Sequence, residues 1–209
     1  MGNPRVFVDT TVLKFSATEL PRYVARKTSH EWGGTIVEGV VQELVEINPN
    51  DFIKNNPDLK SEAELLPRAA ELGKTGAVEY MMSMETIVGE SWNLRDMDSK
   101  SGRFYGAPIA IVDVPFDGGR IVGGVGINRK EEQLRFFTSI KDKRFLELQK
   151  MTGAYQGKRP TNQRQLLDAF HLWCAEHNGC EFFLTLDLTL IKVLGLAKKK
   201  FALARPHQA

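Results

Sequence analysis

Two aspartates stand directly after apolar, strand-like runs, almost the whole chain apart. Asp9 follows Arg5-Val6-Phe7-Val8 and precedes Thr10 and Thr11, while Asp187 follows Cys180 to Leu186, CEFFLTL. In open α/β sheets, ligands bind beyond the carboxyl ends of strands. Two such carboxylates would converge if their strands lie close together in one sheet. Taken singly, an aspartate after a strand serves equally well as a turn or helix-cap residue. A third acid is Glu43, within Thr35 to Ile47, TIVEGVVQELVEI, which reads as a helix. On a helix Glu43 lies in line with Ile36, Val40 and Ile47. A carboxylate in an apolar stripe is costly unless it is paired or bound to a cation. The alternative is a glutamate at the margin of the buried face with its head in water.

The elements that must position these acids follow from pattern. Leu166 to His177 carries apolar residues at helical spacing, namely Leu166, Phe170, Trp173 and Cys174, and Asn178-Gly179 stops it. A helix feeding a buried strand through a short turn is half of a parallel α/β unit. Elsewhere, Thr18 to Arg26 reads as a helix with Pro21 in its first turn, and His30 to Gly34 as a turn. Ser61 to Lys74 opens with a capping-box pattern, Ser61 and Glu64. Ala77 to Trp92 reads as a helix whose Met81, Met82 and Met84 fill a core. Asn93 to Gly106 is a polar loop. Ala107 to Val114 and Arg120 to Ile127 flank Phe116-Asp117-Gly118-Gly119 as a hairpin. Lys130 to Met151 reads as one charged, amphipathic helix. The glycines of Val122 to Gly126 make no dinucleotide fingerprint.

The chain has 209 residues, 42% hydrophobic and 26% charged, which suits one globular domain with room for an elaboration. No run has membrane-spanning length, and the amino terminus lacks a signal-peptide pattern. Cys174 and Cys180 fall in the expected core helix and strand, so packed, reduced thiols and a cytoplasmic location are expected. The net charge of +2 hides an asymmetry: 11 Lys/Arg against 16 Asp/Glu in residues 1–100, then 17 against 10. Ten of the basic residues fall between Arg129 and Arg164, with four acids. An acidic cluster beside a basic flank could hold a metal at one and a polyanion at the other. Basic residues on a solvated helix face would look the same.

Together, VFVDTTVLK, the Glu43-Leu44 pair, LLDAFHLWCAEHNG and FLTLDLTLI resemble the PIN-domain family of nucleases. The resemblance covers about 45 residues at each end and leaves the long middle unaccounted for. It implies a single PIN-like domain over residues 1–209: a three-layer α/β fold with a central parallel sheet flanked by helices. Residues 93–150 would be an insertion with the hairpin and a basic helix. It implies metal-dependent hydrolysis of nucleic acid, RNA rather than DNA, by an endonuclease using Mg²⁺ or Mn²⁺. Asp9, Glu43, Asp168 and Asp187 match the family's four acids in order. A homo-oligomer is compatible with this reading, and no antitoxin-like protein partner or membrane is implied.

Such a site suits hard cations, which take carboxylate oxygens, keep several waters and accept substrate phosphate. Under the resemblance Asp9 and Asp187 are direct ligands, and Asp168 is a second ligand or one acting through water. Glu43 would hold a water at the ion or act as a base. Thr10, Thr11 and Thr185 could hydrogen-bond the carboxylates. His171, one turn after Asp168, is a core, surface or catalytic histidine. Lys141, Lys143, Arg144 and Arg164 are the candidate nucleic-acid contacts. An aspartyl phosphatase would want an acid at position 11, where threonine stands. A catalytically weak or inactive nucleic-acid-binding or scaffold protein on the same fold is the alternative.

Overall fold

The computed structural model describes residues 2–16, 20–47, 57–86, 103–116, 129–155, 157 and 162–196. Four short parallel strands form its centre: β1 Arg5–Val8, β4 Glu79–Met82, β5 Ile109–Ile111 and β6 Phe182–Leu184, in the order β5-β4-β1-β6. Register sets Val6 against Tyr80 on one side and Phe182 on the other. Most of their residues are apolar, as expected for parallel strands covered on both faces.

Alternate side chains divide between two cores. Val6, Val8, Tyr80 and Met82 face helices α1 (Thr10–Ser16) and α3 (Leu66–Lys74), the latter preceded by the short α2 (Lys60–Glu64). Phe7, Met81 and Phe183 face α4 (Arg129–Ser139), α5 (Lys143–Met151), α6 (Gln163–His177) and α7 (Leu188–Leu196). In that second core Phe145 stacks on Trp173 at 5.1 Å, and Phe137 packs against Phe170 at 5.0 Å. The described protein is thus a three-layer α/β structure. No helix among the described residues is long and apolar enough to cross a membrane.

Several sequence expectations are corrected here. Thr35–Ile47 is not a helix but strand β3, paired antiparallel with β2, Leu20–Trp32, over their full length. That also displaces the helix expected over Thr18 to Arg26. Seven of the thirteen residues of β3 are Thr, Ile or Val, whose stiff side chains favour strands. Gly33 and Gly34, with φ of 59° and 81°, close the two-residue turn that this hairpin demands. Glu79–Met82 is the strand β4 inside what reads as a helix from Ala77 to Trp92. Lys130 to Met151 is two helices, because Asp142 accepts a hydrogen bond from Phe145 N at 2.9 Å and starts α5 anew. The Ser61 to Lys74 helix is likewise broken, with Pro67 in the first turn of α3. Ser61 donates to Glu62 instead of closing a capping box.

Within residues 93–150, β5 joins the central sheet beside β4, while α4 and α5 pack on the aromatic core. The first limb of the expected hairpin therefore pairs in parallel. Its second limb, Arg120 to Ile127, lies outside the described residues.

Candidate functional site

β1 and β6 are neighbours and parallel, so the residues that follow them meet at one end of the sheet. Asp9 N donates to Leu184 O at 2.9 Å, extending the ladder by one rung. Three threonines then organise the junction. Asp9 Oδ2 accepts from Thr11 Oγ1 at 2.7 Å and from Thr185 Oγ1 at 2.6 Å, while Thr10 N donates to Asp9 Oδ1 at 2.8 Å. Thr11 Oγ1 also accepts from Leu186 N, and Thr185 Oγ1 from Asp187 N. The two aspartates are thus fixed relative to each other through Thr11 and Thr185. The hydroxyl of Thr10, by contrast, is buried with no hydrogen-bond partner among the described residues.

Helix α6 supplies the third acid. It leads into β6 through a tight turn at Gly179, φ 62°, so its amino end lies at the carboxyl end of the strands. Arg164, Asp168 and His171 stand at helical spacing i, i+4 and i+7, on one face. Arg164 Nη2 donates to Asp187 Oδ2 at 2.8 Å. His171 is 1% exposed; its Nε2 is 3.2 Å from Thr86 Oγ1, and its unpartnered Nδ1 is 3.7 Å from Asp9 Oδ1. His171 is therefore a buried histidine aimed at the acids, not a surface residue.

The three aspartates differ in how they are satisfied. Burial alone would raise the Asp9 carboxyl, but His171, then Thr11 and Thr185, outweigh it and hold Asp9 at about 2. Asp187 Oδ1 accepts from Thr189 N at 2.8 Å and Leu190 N at 3.1 Å, capping α7. Asp168 accepts no hydrogen bond among the described residues. Burial, then the Asp9 charge and to a lesser degree that of Asp187, push its carboxyl up to about 7, with His171 and Arg164 opposing. That is the behaviour of a carboxylate crowded by like charge.

Glu43 has its side chain outside the described part of the structure. It sits in β3 opposite Val24, and the stripe argument that singled it out applies only to a helix. The basic residues also separate. Arg164 is at the acids. Arg144 is two turns away along α6, where Nε and Nη2 donate to Glu176 at 2.8 and 2.6 Å and Nη1 to Glu147 at 2.9 Å. From Asp168 to Glu176 is roughly 12 Å along the helix. Lys141 and Lys143 are exposed beside Arg144, at the far end from the carboxylates.

Sequence reasoning misses Glu85, Thr86 and Ser83, which follow β4 at the same end of the sheet. Ser83, Thr86 and His171 form a buried chain of polar contacts reaching toward Asp9. Buried Glu85 accepts from Gln133 Nε2 at 2.9 Å, and Gln163 donates to Gln133 in turn. The signal is a Ser-x-Glu-Thr sequence just after a strand. It is invisible while Ala77 to Trp92 is read as one helix.

The donor set is carboxylate oxygen throughout, which suits Mg²⁺ or Mn²⁺ and not a soft metal. Asp168, with open lone pairs and a carboxyl near neutrality, is the group a bound cation would relieve. Among the described residues no three His, Cys, Asp or Glu side chains already stand at metal-holding distances. The positive charge now nearest the cluster is Arg164. Comparison with protein-family models, with curated proteins and with solved structures finds no match for this chain.

Proposed function

We propose that the protein hydrolyses phosphodiester bonds in nucleic acid with a divalent cation, as an RNA endonuclease on a PIN-like scaffold. The observation that carries this reading is the convergence of Asp9, Asp168 and Asp187 at the carboxyl end of β1 and β6. Asp9, Asp168 and Asp187 would hold Mg²⁺ or Mn²⁺. When bound, the ion supplies Lewis acidity and neutralises charge on the phosphate. Asp9 is pre-oriented by Thr11 and Thr185, so its direction does not change on loading. Arg164, 72% exposed at its side chain, can leave Asp187 and meet a phosphate oxygen, exchanging one charge-assisted hydrogen bond for another. His171, itself buried, lies behind Asp9 with Nδ1 3.7 Å from Oδ1. Without a cation the Asp168 carboxyl is pushed up by burial and by the neighbouring carboxylates, and a bound divalent ion would restore its charged form.

One observation favours the second reading, a catalytically silent nucleic-acid-binding or scaffold protein. Every Asp187 contact described here is a helix cap or an ion pair, which is what a structural aspartate makes. Labelled single-stranded RNA and DNA, incubated with the protein and Mn²⁺, Mg²⁺ or EDTA, separate the two. Divalent-dependent internal cleavage of RNA, lost in Asp9→Asn, is the expected result. Binding without cleavage under every condition would leave the silent reading.

A further inference from the structure

None of the described side chains of the β2–β3 ribbon, those of residues 26–41, belongs to either core. Among them Trp32, Ile36, Val37, Val40 and Val41 are 47–83% exposed. A lone two-stranded hairpin is marginal in water, and long unpaired edges are templates for further pairing.

The two edges of the ribbon differ in chemistry. Across the Gly33-Gly34 turn, Trp32 and Thr35 form the closing pair, so Thr35, Val37, Gly39 and Val41 bond inward to β2. Ile36, Glu38, Val40 and Gln42 then turn their N–H and C=O groups to the outer edge of β3. On β2 the outward positions include Pro21, Lys27, Ser29 and Glu31. Proline offers no donor, and charged residues, lysine above all, discourage strand addition. The β2 edge is guarded. The β3 edge, Thr35 to Val41, carries one charge, Glu38, among β-branched residues and Gly39.

We infer that β3 pairs antiparallel with β3 of a second copy, giving a four-stranded sheet β2-β3-β3-β2 across a two-fold axis at Gly39. Such an axis, perpendicular to the sheet, requires residues of the same face to oppose each other. Centring it on Gly39 sets Val37 against the second copy's Val41 and Glu38 against its Val40. The two Gly39 residues then form the non-hydrogen-bonded pair, where backbones approach most closely. Centring on Glu38 would oppose like charges, and centring on Val40 would set Val37 against a glutamate. The register is self-complementary, which singles out a second copy over an unrelated strand. Nucleic acid is disfavoured, because along the exposed ribbon Arg26 and Lys27 are matched by Glu31 and Glu38.

Sedimentation equilibrium of the full chain tests this. The parent should weigh about 47 kDa, twice its 23.5 kDa chain mass, at about 100 µM. Val40→Pro removes an outward donor from β3 and should give monomer. Ser29→Pro makes the same change on the β2 edge and should leave the dimer. Should Val40→Pro also lower the melting temperature, Val40→Glu and Val40→Lys decide, since Val40 is 65% exposed. Glutamate would face Glu38 of the second copy twice over and raise the dissociation constant roughly tenfold. Lysine would face the same Glu38 and should not raise it. A parent that stays monomeric overturns the inference. So does equal disruption by the two prolines, or by Val40→Glu and Val40→Lys. Loss of RNA binding in Val40→Pro without change of mass would assign the edge to nucleic acid and overturn it as well.

Discussion

Helix α6 carries acids at both ends, and the two ends are balanced differently. At its carboxyl end, Glu176 meets Arg144 through two hydrogen bonds, and Arg144 also holds Glu147. One guanidinium lies between two acids at a half-exposed surface, where solvent completes the balance. At the amino end, Asp168 joins Asp9 and Asp187, and one exposed guanidinium, that of Arg164, faces only Asp187. Three carboxylates there face Arg164 and the buried His171 in a mostly buried setting. The first arrangement is a clasp between α5 and α6. The second leaves negative charge without a partner, which is costly unless something outside the chain supplies it.

The contrast is tested first by activity. Under the proposed function, Asp168→Asn should lower divalent-dependent cleavage about a thousandfold, about 4 kcal/mol in the barrier, with the fold intact. Arg144→Gln, at the other end, should leave cleavage within about twofold. Comparable losses from the two would erase the distinction between a site and a clasp.

Stability against pH gives the next largest effect. Burial and the neighbouring Asp9 push the folded Asp168 carboxyl up to about 7, above its ordinary value of 3.8. Its favourable contribution is therefore fully present below about 3.8 and is lost as pH rises toward 7. Asp9 has the opposite sign: held at about 2, it stabilises above 3.8 and loses that as pH falls through 2. Between pH 4 and 7, in EDTA, the Asp168 effect should cost on the order of 3 kcal/mol. Chemical denaturation of Asp168→Asn should show a flatter profile across that window. A parent profile with no decline there would mean that the aspartates do not crowd one another.

Smaller effects follow at the two arginines. Arg144→Gln should destabilise by about 1 kcal/mol, since Glu176 loses a two-fold hydrogen-bonded partner at a partly exposed surface. Arg164→Gln should change stability in EDTA by less than about 0.5 kcal/mol, because the guanidinium is 72% exposed at its side chain. Denaturant midpoints compared in one buffer would rank the two, and the reverse order would contradict the contrast.

The sequence makes this site legible where local pattern and tertiary role coincide. Asp9 directly follows β1, Asp187 lies three residues beyond β6, which is only Phe182–Leu184 of the expected Cys180 to Leu186 run, and α6 has unbroken helical spacing ended by Asn178-Gly179. Their meeting needs only that β1 and β6 be neighbours. The helix expected around Glu43 fails for a physical reason: apolar residues at three- and four-residue spacing also occur in a strand that alternates imperfectly. The seven β-branched positions of β3 and the Gly33-Gly34 turn were the better guide. Glu79–Met82 is too short and too rich in methionine to announce itself, so Ser83, Glu85 and Thr86 stay hidden. Arg144 shows the limit of charge counting, because a basic residue in a basic tract can be engaged by an acid of its own helix, Glu147, and one of another, Glu176.

The central claim is that Asp9, Asp168 and Asp187 form a cation site. Melting curves at pH 7.5, with EDTA and with rising Mn²⁺, test it without any substrate. The parent should gain roughly 2.7 kcal/mol at a hundredfold excess over the dissociation constant, about 5–10 °C for a chain of this size. Asp168→Asn should melt at or above the parent in EDTA, because it removes a crowded charge, and should gain less from Mn²⁺. A parent whose melting temperature is unmoved by about 10 mM Mn²⁺, together with an Asp168→Asn variant less stable than the parent in EDTA, would contradict the account.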